Sequence, residues 1–297
     1  MAKKGNKYAG YNPEEVYDPT GVNQYLGLGR PVEFGQRINK MAMMCTLAIC
    51  VVLTLVKCAE GMDSTSAVTF AFGSALGFLL SYMIAQELDP DRQLGGIIGG
   101  FLTVVGYYFF GEGNILVMLW LLFVLRMLNR SSGDRHRILD NVIMIASAIW
   151  LGKLGFWVYP LLTGAAYVLE SQIQSGYFRS LYLAGISLAG LLIAEYSKQS
   201  NDLSPSIILV MGLAFVFYLP ELRLAVYTQA KGDKNNKRLL AKRLQAMMGF
   251  FLMILFSVTL LHGDAAAKQV LPGAMAAIGC GMYLLYALMT HQVVFRK

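Results

Sequence analysis

Apolar runs long enough to cross a bilayer recur in this chain from Met41 almost to its last residues, and that recurrence constrains the fold more than any other feature. A spanning helix needs about 20 residues, within a range of roughly 17–25. The runs cover 41–56, 67–86, 94–110, 114–128, 141–169, 180–194, 204–219, 244–261 and 270–290. In hydrocarbon every backbone N–H and C=O must find its partner inside the protein, which leaves helices for runs of this length. The expected fold is therefore all-α, a polytopic transmembrane helical bundle. Composition agrees: 14% of the 297 residues are charged and 56% are hydrophobic, whereas a soluble domain carries about 25% charge.

The distribution of Lys and Arg sets the expected topology, because basic loops stay on the cytoplasmic side. Lys3, Lys4, Lys7, Arg30, Arg37 and Lys40 precede the first run. Arg126, Arg130, Arg135 and Arg137 follow the fourth, and Arg223, Lys231, Lys234, Lys237, Arg238, Lys242 and Arg243 fill a basic loop over 221–243. The alternate loops carry Glu60, Asp63, Glu112, Asp202 and Asp264. All basic loops share one side only if 141–169 crosses twice, broken near Gly152, Lys153 and Gly155. That gives about ten crossing helices with both termini cytoplasmic in a plasma membrane. Two passes in this stretch have ~15 residues each, so helices five and six are expected to be short or re-entrant. A single long tilted helix would instead give nine crossings and place the C-terminus outside.

Residues 1–40 read as a polar cytoplasmic arm and 41–297 as the membrane domain. Tyr17, Tyr25 and Leu26 would hold the arm along the membrane surface. The polar start gives no apolar signal-peptide segment. The segment Ala230–Arg243, with Leu239, Leu240 and Leu244 on one edge, is expected to form a surface helix on anionic lipid. The net charge of +7 then reflects anionic headgroups as partners, not nucleic acid, for which no motif is present.

Two constellations stand out. Gly73 and Gly77 in the second run, and Gly95, Gly96, Gly99 and Gly100 in the third, have the spacing that lets helix backbones approach closely. They are expected to pack a tight hairpin, with a homo-oligomer contact as the functional alternative. The second constellation is charged: Glu87, Asp89, Asp91 and Arg92 in one loop, and Arg126, Arg130, Asp134, Arg135, Arg137 and Asp140 in the next on the same side. Acid oxygens suit a divalent cation and paired arginines suit a phosphate. The two loops together form a candidate headgroup site; the bland reading is charges that end helices and pair with each other.

Other chemistry finds little support. Cys45, Cys50, Cys58 and Cys280 include no CxxC, and His136, His262 and His291 are far apart in sequence, so no metal site is assigned. No HExxH, P-loop or GxSxG is present. Lys153 and Glu195 are the ionisable groups nearest membrane depth, and neither is central, which counts against proton coupling. Three functions follow in order: transport or translocation of a small solute or lipid, a membrane enzyme acting on a lipid phosphate headgroup with a divalent cation, and a non-catalytic subunit of a membrane complex. Whether the chain is an enzyme is left open.

Overall fold

A computed structural model describes residues 25–29, 35–196, 202–234 and 237–290. Tyr17, most of the N-terminal arm, His291 and the C-terminal Arg296 and Lys297 lie outside them. Nine α-helices account for most of the described chain: α1 (Arg37–Ala59), α2 (Ser64–Leu88), α3 (Leu94–Phe110), α4 (Ile115–Asn129), α5 (Ile138–Lys153), α6 (Val158–Gln172), α7 (Ser180–Ala189), α8 (Pro205–Leu224) and α9 (Ala241–Met289). There is no β-strand among the described residues, only an isolated bridge between Lys231 and Arg238. Four helices, α1, α2, α8 with its short extension, and α9, are long and apolar enough to cross a membrane, as in a multi-pass membrane protein.

The count of nine is one fewer than the ten expected. The last two apolar runs are joined without an intervening loop, and α9 extends over 49 residues. Its helical geometry fails at one residue, Gly263, with φ 64° and ψ −155°, a backbone conformation open chiefly to glycine. Gly273 sits against the side chains of Phe251 and Leu255, so the two halves, 241–262 and 264–289, fold back on each other. The second half begins at 264, not 270, and Pro272 lies inside it.

The 141–169 stretch divides into α5 and α6. The stop is a local signal: Phe156 N–H donates to Leu151 O at 3.1 Å and Gly155 N–H to Gly152 O at 3.1 Å, the two bonds of a glycine-terminated helix end. Gly155 holds the positive φ, 93°, that this ending requires. Tyr167 Oη near the end of α6 donates to Asn141 Oδ1 near the start of α5 at 2.9 Å, so the pair is an antiparallel hairpin. Lys153 is exposed at its turn.

The core is centred on α4 and α9. Along α4, Val117, Met118, Trp120, Leu121, Val124, Leu125 and Leu128 are buried, and Trp120 donates to Thr163 Oγ1 on α6 at 2.8 Å. Helix α1 stands apart. Only 11% of its apolar window is buried, against 56% for α2. It packs on α2 through a separate small core of Ala42, Ile49, Ala75, Phe78 and Tyr82, and none of its residues enters the main core.

Small residues set how closely the central helices approach. A Cβ added at Gly95 or Gly99 would meet the backbone of α9, at 2.9 Å from Cys280 Cα and 2.8 Å from Ala276 Cα. One at Gly96 or Gly100 would meet Tyr82 or Phe78 of α2. Gly77 lies against Tyr107 and Gly73 against Glu112. These glycines therefore all face neighbours inside the chain, and α3 is wedged between α2 and the second half of α9.

Candidate functional site

The helix hairpins bring one set of loops to one end of the bundle. This basic end holds the described arm residues 25–29, the loops 89–93, 130–137 and 173–179, and the segment 225–240. The segment 230–240 is not the surface helix its sequence suggests. Leu239 N–H donates to Ala230 O at 2.9 Å and Gly232 N–H to Lys237 O at 2.9 Å, so the chain doubles back. Its tip, Asp233 and Lys234, lies on Ser131 and Ser132 through backbone bonds of 3.2 and 3.1 Å.

The acids and arginines of the two charged loops do not converge on one point. They form separate pairs and trios, some joining different helices and others closing within one loop. Arg126 on α4 reaches Glu87 on α2 at 3.1 Å. Arg92 bonds Asp89 at 2.8 Å through Nε and Glu221 of α8 through Nη2. Arg130 bonds Glu170 of α6 at 2.5 Å, and the second oxygen of Glu170 takes Arg243 from the start of α9. Arg137 pairs with Asp134 at 2.9 Å, and Arg135 lies over the Tyr177 ring at 5.3 Å. Asp91 accepts from Gln229 N–H at 2.9 Å. Asp140 accepts from Gly27 N–H at 2.7 Å, Leu28 N–H at 3.2 Å and Arg137 N–H at 2.8 Å. Its carboxylate thereby docks the arm, whose Leu28 is fully buried.

Three residues that the sequence reading left outside the candidate site dominate this end: Glu170, Glu221 and Arg243 are all at most 2% exposed. Arg243 donates to Leu128 O at 3.0 Å, Gln174 O at 3.0 Å and Met127 O at 3.4 Å as well as to Glu170. It thereby supplies donors to the carbonyls left open at the end of α4 and just beyond α6. The available signal was position: Glu170 and Glu221 sit within otherwise apolar segments, where an acid is costly unless paired.

Burial sets the electrostatics of the loops. It pushes the Asp89 carboxyl above its ordinary value, with Arg92 pulling the other way. It also pushes the His136 imidazole below its ordinary value, and that ring packs edge-on against Tyr167 and Tyr177. No group of three or more His, Cys, Asp or Glu among the described residues is placed to hold a metal ion. Of the two remaining ionisable candidates, Lys153 and Glu195 lie together at the opposite end, where Glu195 N–H donates to Gly152 O at 3.0 Å; both are exposed.

Beside the paired charges lies a cleft of about 270 Å³. Its wall on one side is α1, through Gln36, Asn39, Ala42 and Met43. Leu79, Tyr82, Met83 and Gln86 of α2 face them, and Pro90, Gln93, Arg126, Lys231 and Asp233 close the polar end. Tyr82 Oη donates to Asn39 Oδ1 at 2.7 Å, and Gln86 Nε2 donates to the same oxygen at 3.3 Å. The cleft is thus lined by polar and apolar side chains together along α1 and α2, with two cations and one acid at the loop end.

The chain matches no family model, no curated protein and no solved structure.

Proposed function

We propose that this chain is a ten-crossing plasma-membrane protein, with both termini cytoplasmic, that transports or translocates an amphiphile, receiving its anionic headgroup in the cleft beside α1. The observation that carries this reading is the cleft itself, polar at the basic end and walled by a helix outside the main core. A helix attached through a small separate core can move without disturbing the rest, and its displacement opens the cleft sideways to lipid. Lys231 offers positive charge at the loop end, Arg126 being shared with Glu87, and Ala42, Met43, Leu79 and Met83 suit the chain beside it. The orientation rests on the basic loops, which share one end because α5 and α6 form a hairpin. The headgroup-enzyme alternative has less support, because Glu87, Asp89, Asp91, Asp134 and Asp140 are already engaged within the protein.

The test uses the full chain in nanodiscs of mixed lipid, with native mass spectrometry of the lipids retained. Anionic phospholipid should be enriched over zwitterionic lipid, and Lys231→Ala should weaken that preference by about fivefold, the equivalent of roughly 1 kcal/mol for one basic residue near anionic lipid. A soluble phosphate ester should compete only if the headgroup alone is recognised. In liposomes, cross-linking Asn39→Cys to Gln86→Cys with a short thiol-reactive linker should stop movement of labelled lipid between leaflets. Equal retention of both lipid types by wild type and variant, together with unimpeded movement after cross-linking, would sink the proposal.

A further inference from the structure

Glu221, Asp89 and Arg92 meet where α8 ends, α2 ends and α3 begins. Arg92 holds both acids, Asp89 through Nε and Glu221 through Nη2. The two carboxylates are 3% and 1% exposed, so water does little to screen them. One guanidinium balances one carboxylate, and with both acids ionised the trio carries one negative charge in excess. Among the described residues the groups facing the trio are the Tyr218 hydroxyl from α8, the Cys280 thiol from α9 and the Asp91 carboxylate from the loop, none of them a cation. The Tyr218 hydroxyl is already used, donating to Leu88 O at 3.1 Å. Glycines 95 and 96 at the start of α3 bring no charge.

The remaining oxygen, Glu221 Oε1, is buried and has no hydrogen-bond donor. Asp89 and Glu221 are held on the same guanidinium, which brings the two buried carboxylates side by side. Ionised carboxylates only accept hydrogen bonds; two of them can bond each other only when one carries a proton. The excess charge and the unsatisfied Glu221 oxygen thus ask for the same thing, and a proton supplies it: it removes the charge and gives one acid an O–H to donate.

We propose that Asp89 and Glu221 share a single proton and form a reversible proton-binding site at the basic end of the bundle. Uptake takes one H⁺ from water onto one carboxylate oxygen, forming an O–H that donates to the other acid. Release breaks that O–H, returns H⁺ to water and leaves two facing carboxylates on one arginine. The repulsion then acts across the contact between α8 and the end of α2, so the site couples proton release to loosening of that contact. The burial that raises the Asp89 carboxyl above its ordinary value supports the assignment. Such pairs titrate together, and the proton belongs to the pair and not to either residue. The site lies outside the cleft and stands independently of the headgroup reading.

Infrared difference spectroscopy of the full chain in nanodiscs tests this. Wild type at neutral pH should show a protonated-carboxyl C=O band that disappears as pH rises. In Glu221→Gln and in Asp89→Asn the remaining acid has Arg92 to itself, ionises, and the band should be lost. Glu112→Gln should keep the band; Glu112 is an exposed acid at the other end of the bundle. The absence of a titrating band in wild type would overturn the proposal whether or not the variants fold. So would a band surviving in either single variant of Asp89 or Glu221.

Discussion

The two ends of this bundle hold charge in opposite ways. At the basic end, Glu87, Asp89, Glu170 and Glu221 are at most 2% exposed, and each binds an arginine from another part of the chain or from the next turn. At the opposite end, the ion pair between described residues is Lys57 with Glu60 at 2.8 Å, where Glu60 also accepts from Tyr108 Oη at 2.7 Å. The Glu60 side chain there is 40% exposed. The contacts between helices at that end are mostly neutral: Tyr159 Oη donates to Gln269 Oε1 at 3.2 Å, and the His262 ring packs edge-on against Phe156 and Trp157. Buried pairs are dear to break because a lone partner stays out of water; exposed ones contribute little. One end is therefore clamped by charge and the other held by shape.

The comparison breaks most sharply at Glu170. Glu170→Ala leaves Arg130 and Arg243 without their shared carboxylate, and unfolding in mixed micelles should show a loss of about 3–5 kcal/mol, the usual result of stranding a buried charge. A loss no larger than that of Glu60→Ala would mean that the clamp carries no weight. The next effect contrasts the two ends of α3. At Gly99 a Cβ meets α9 backbone, while at Gly106 it meets only the mobile tips of Leu271 and Met275, at 3.1 and 3.2 Å. Gly99→Ala should cost about 1–3 kcal/mol by overpacking, and Gly106→Ala should be close to neutral; equal melting temperatures would show that α3 and α9 can separate freely.

Acidity should act oppositely on two loops. Asp89 is raised, so the folded state holds its proton where the unfolded chain has lost it. Its contribution is complete below the ordinary carboxylate value and is lost as pH rises through the folded value. Glu60 is lowered by its bonds from Lys57 and Tyr108, and Asp63 by its bonds to Ser66. Their contribution is present above the ordinary value and is lost as pH falls through the lowered one. Amide exchange, expressed as protection relative to the unfolded chain, should weaken around 89–96 in alkali and around 60–66 in acid. The same sign at both loops would contradict the assignment. The smallest effect belongs to Lys57→Ala, which should leave the melting temperature unchanged within error.

The sequence made the helical segments legible because hydrocarbon imposes a minimum run length and punishes charge inside it. The break at 153–157 was legible too, since Gly155 and Lys153 interrupt the apolar run. The break between the last two runs was legible as well, through His262, Asp264, Lys268 and Gln269, but not its form: Gly263 alone makes the turn and helix resumes at 264. The pairing of charges was hidden for a different reason. Glu87 and Arg126 are 39 residues apart, Glu170 and Arg243 73, and Arg92 and Glu221 129, and only the fold decides which distant arginine reaches which acid. Residues 230–240 misled because Leu239 and Leu240 gave an apolar edge that resembles an interfacial helix, whereas the backbone turns back on itself and rests on Ser131 and Ser132.

The position of Arg243 in the chain has a consequence for how the molecule is completed. Glu170 emerges from the ribosome after Arg130 and well before Arg243, so for much of synthesis it has one of its two partners. A chain arrested before Ala241 contains α1 to α8 yet lacks the donor that satisfies Leu128 O, Met127 O and Gln174 O. Helix α9 thus carries the group that joins the ends of α4 and α6, and a nascent chain without it is chemically distinct from one that has it.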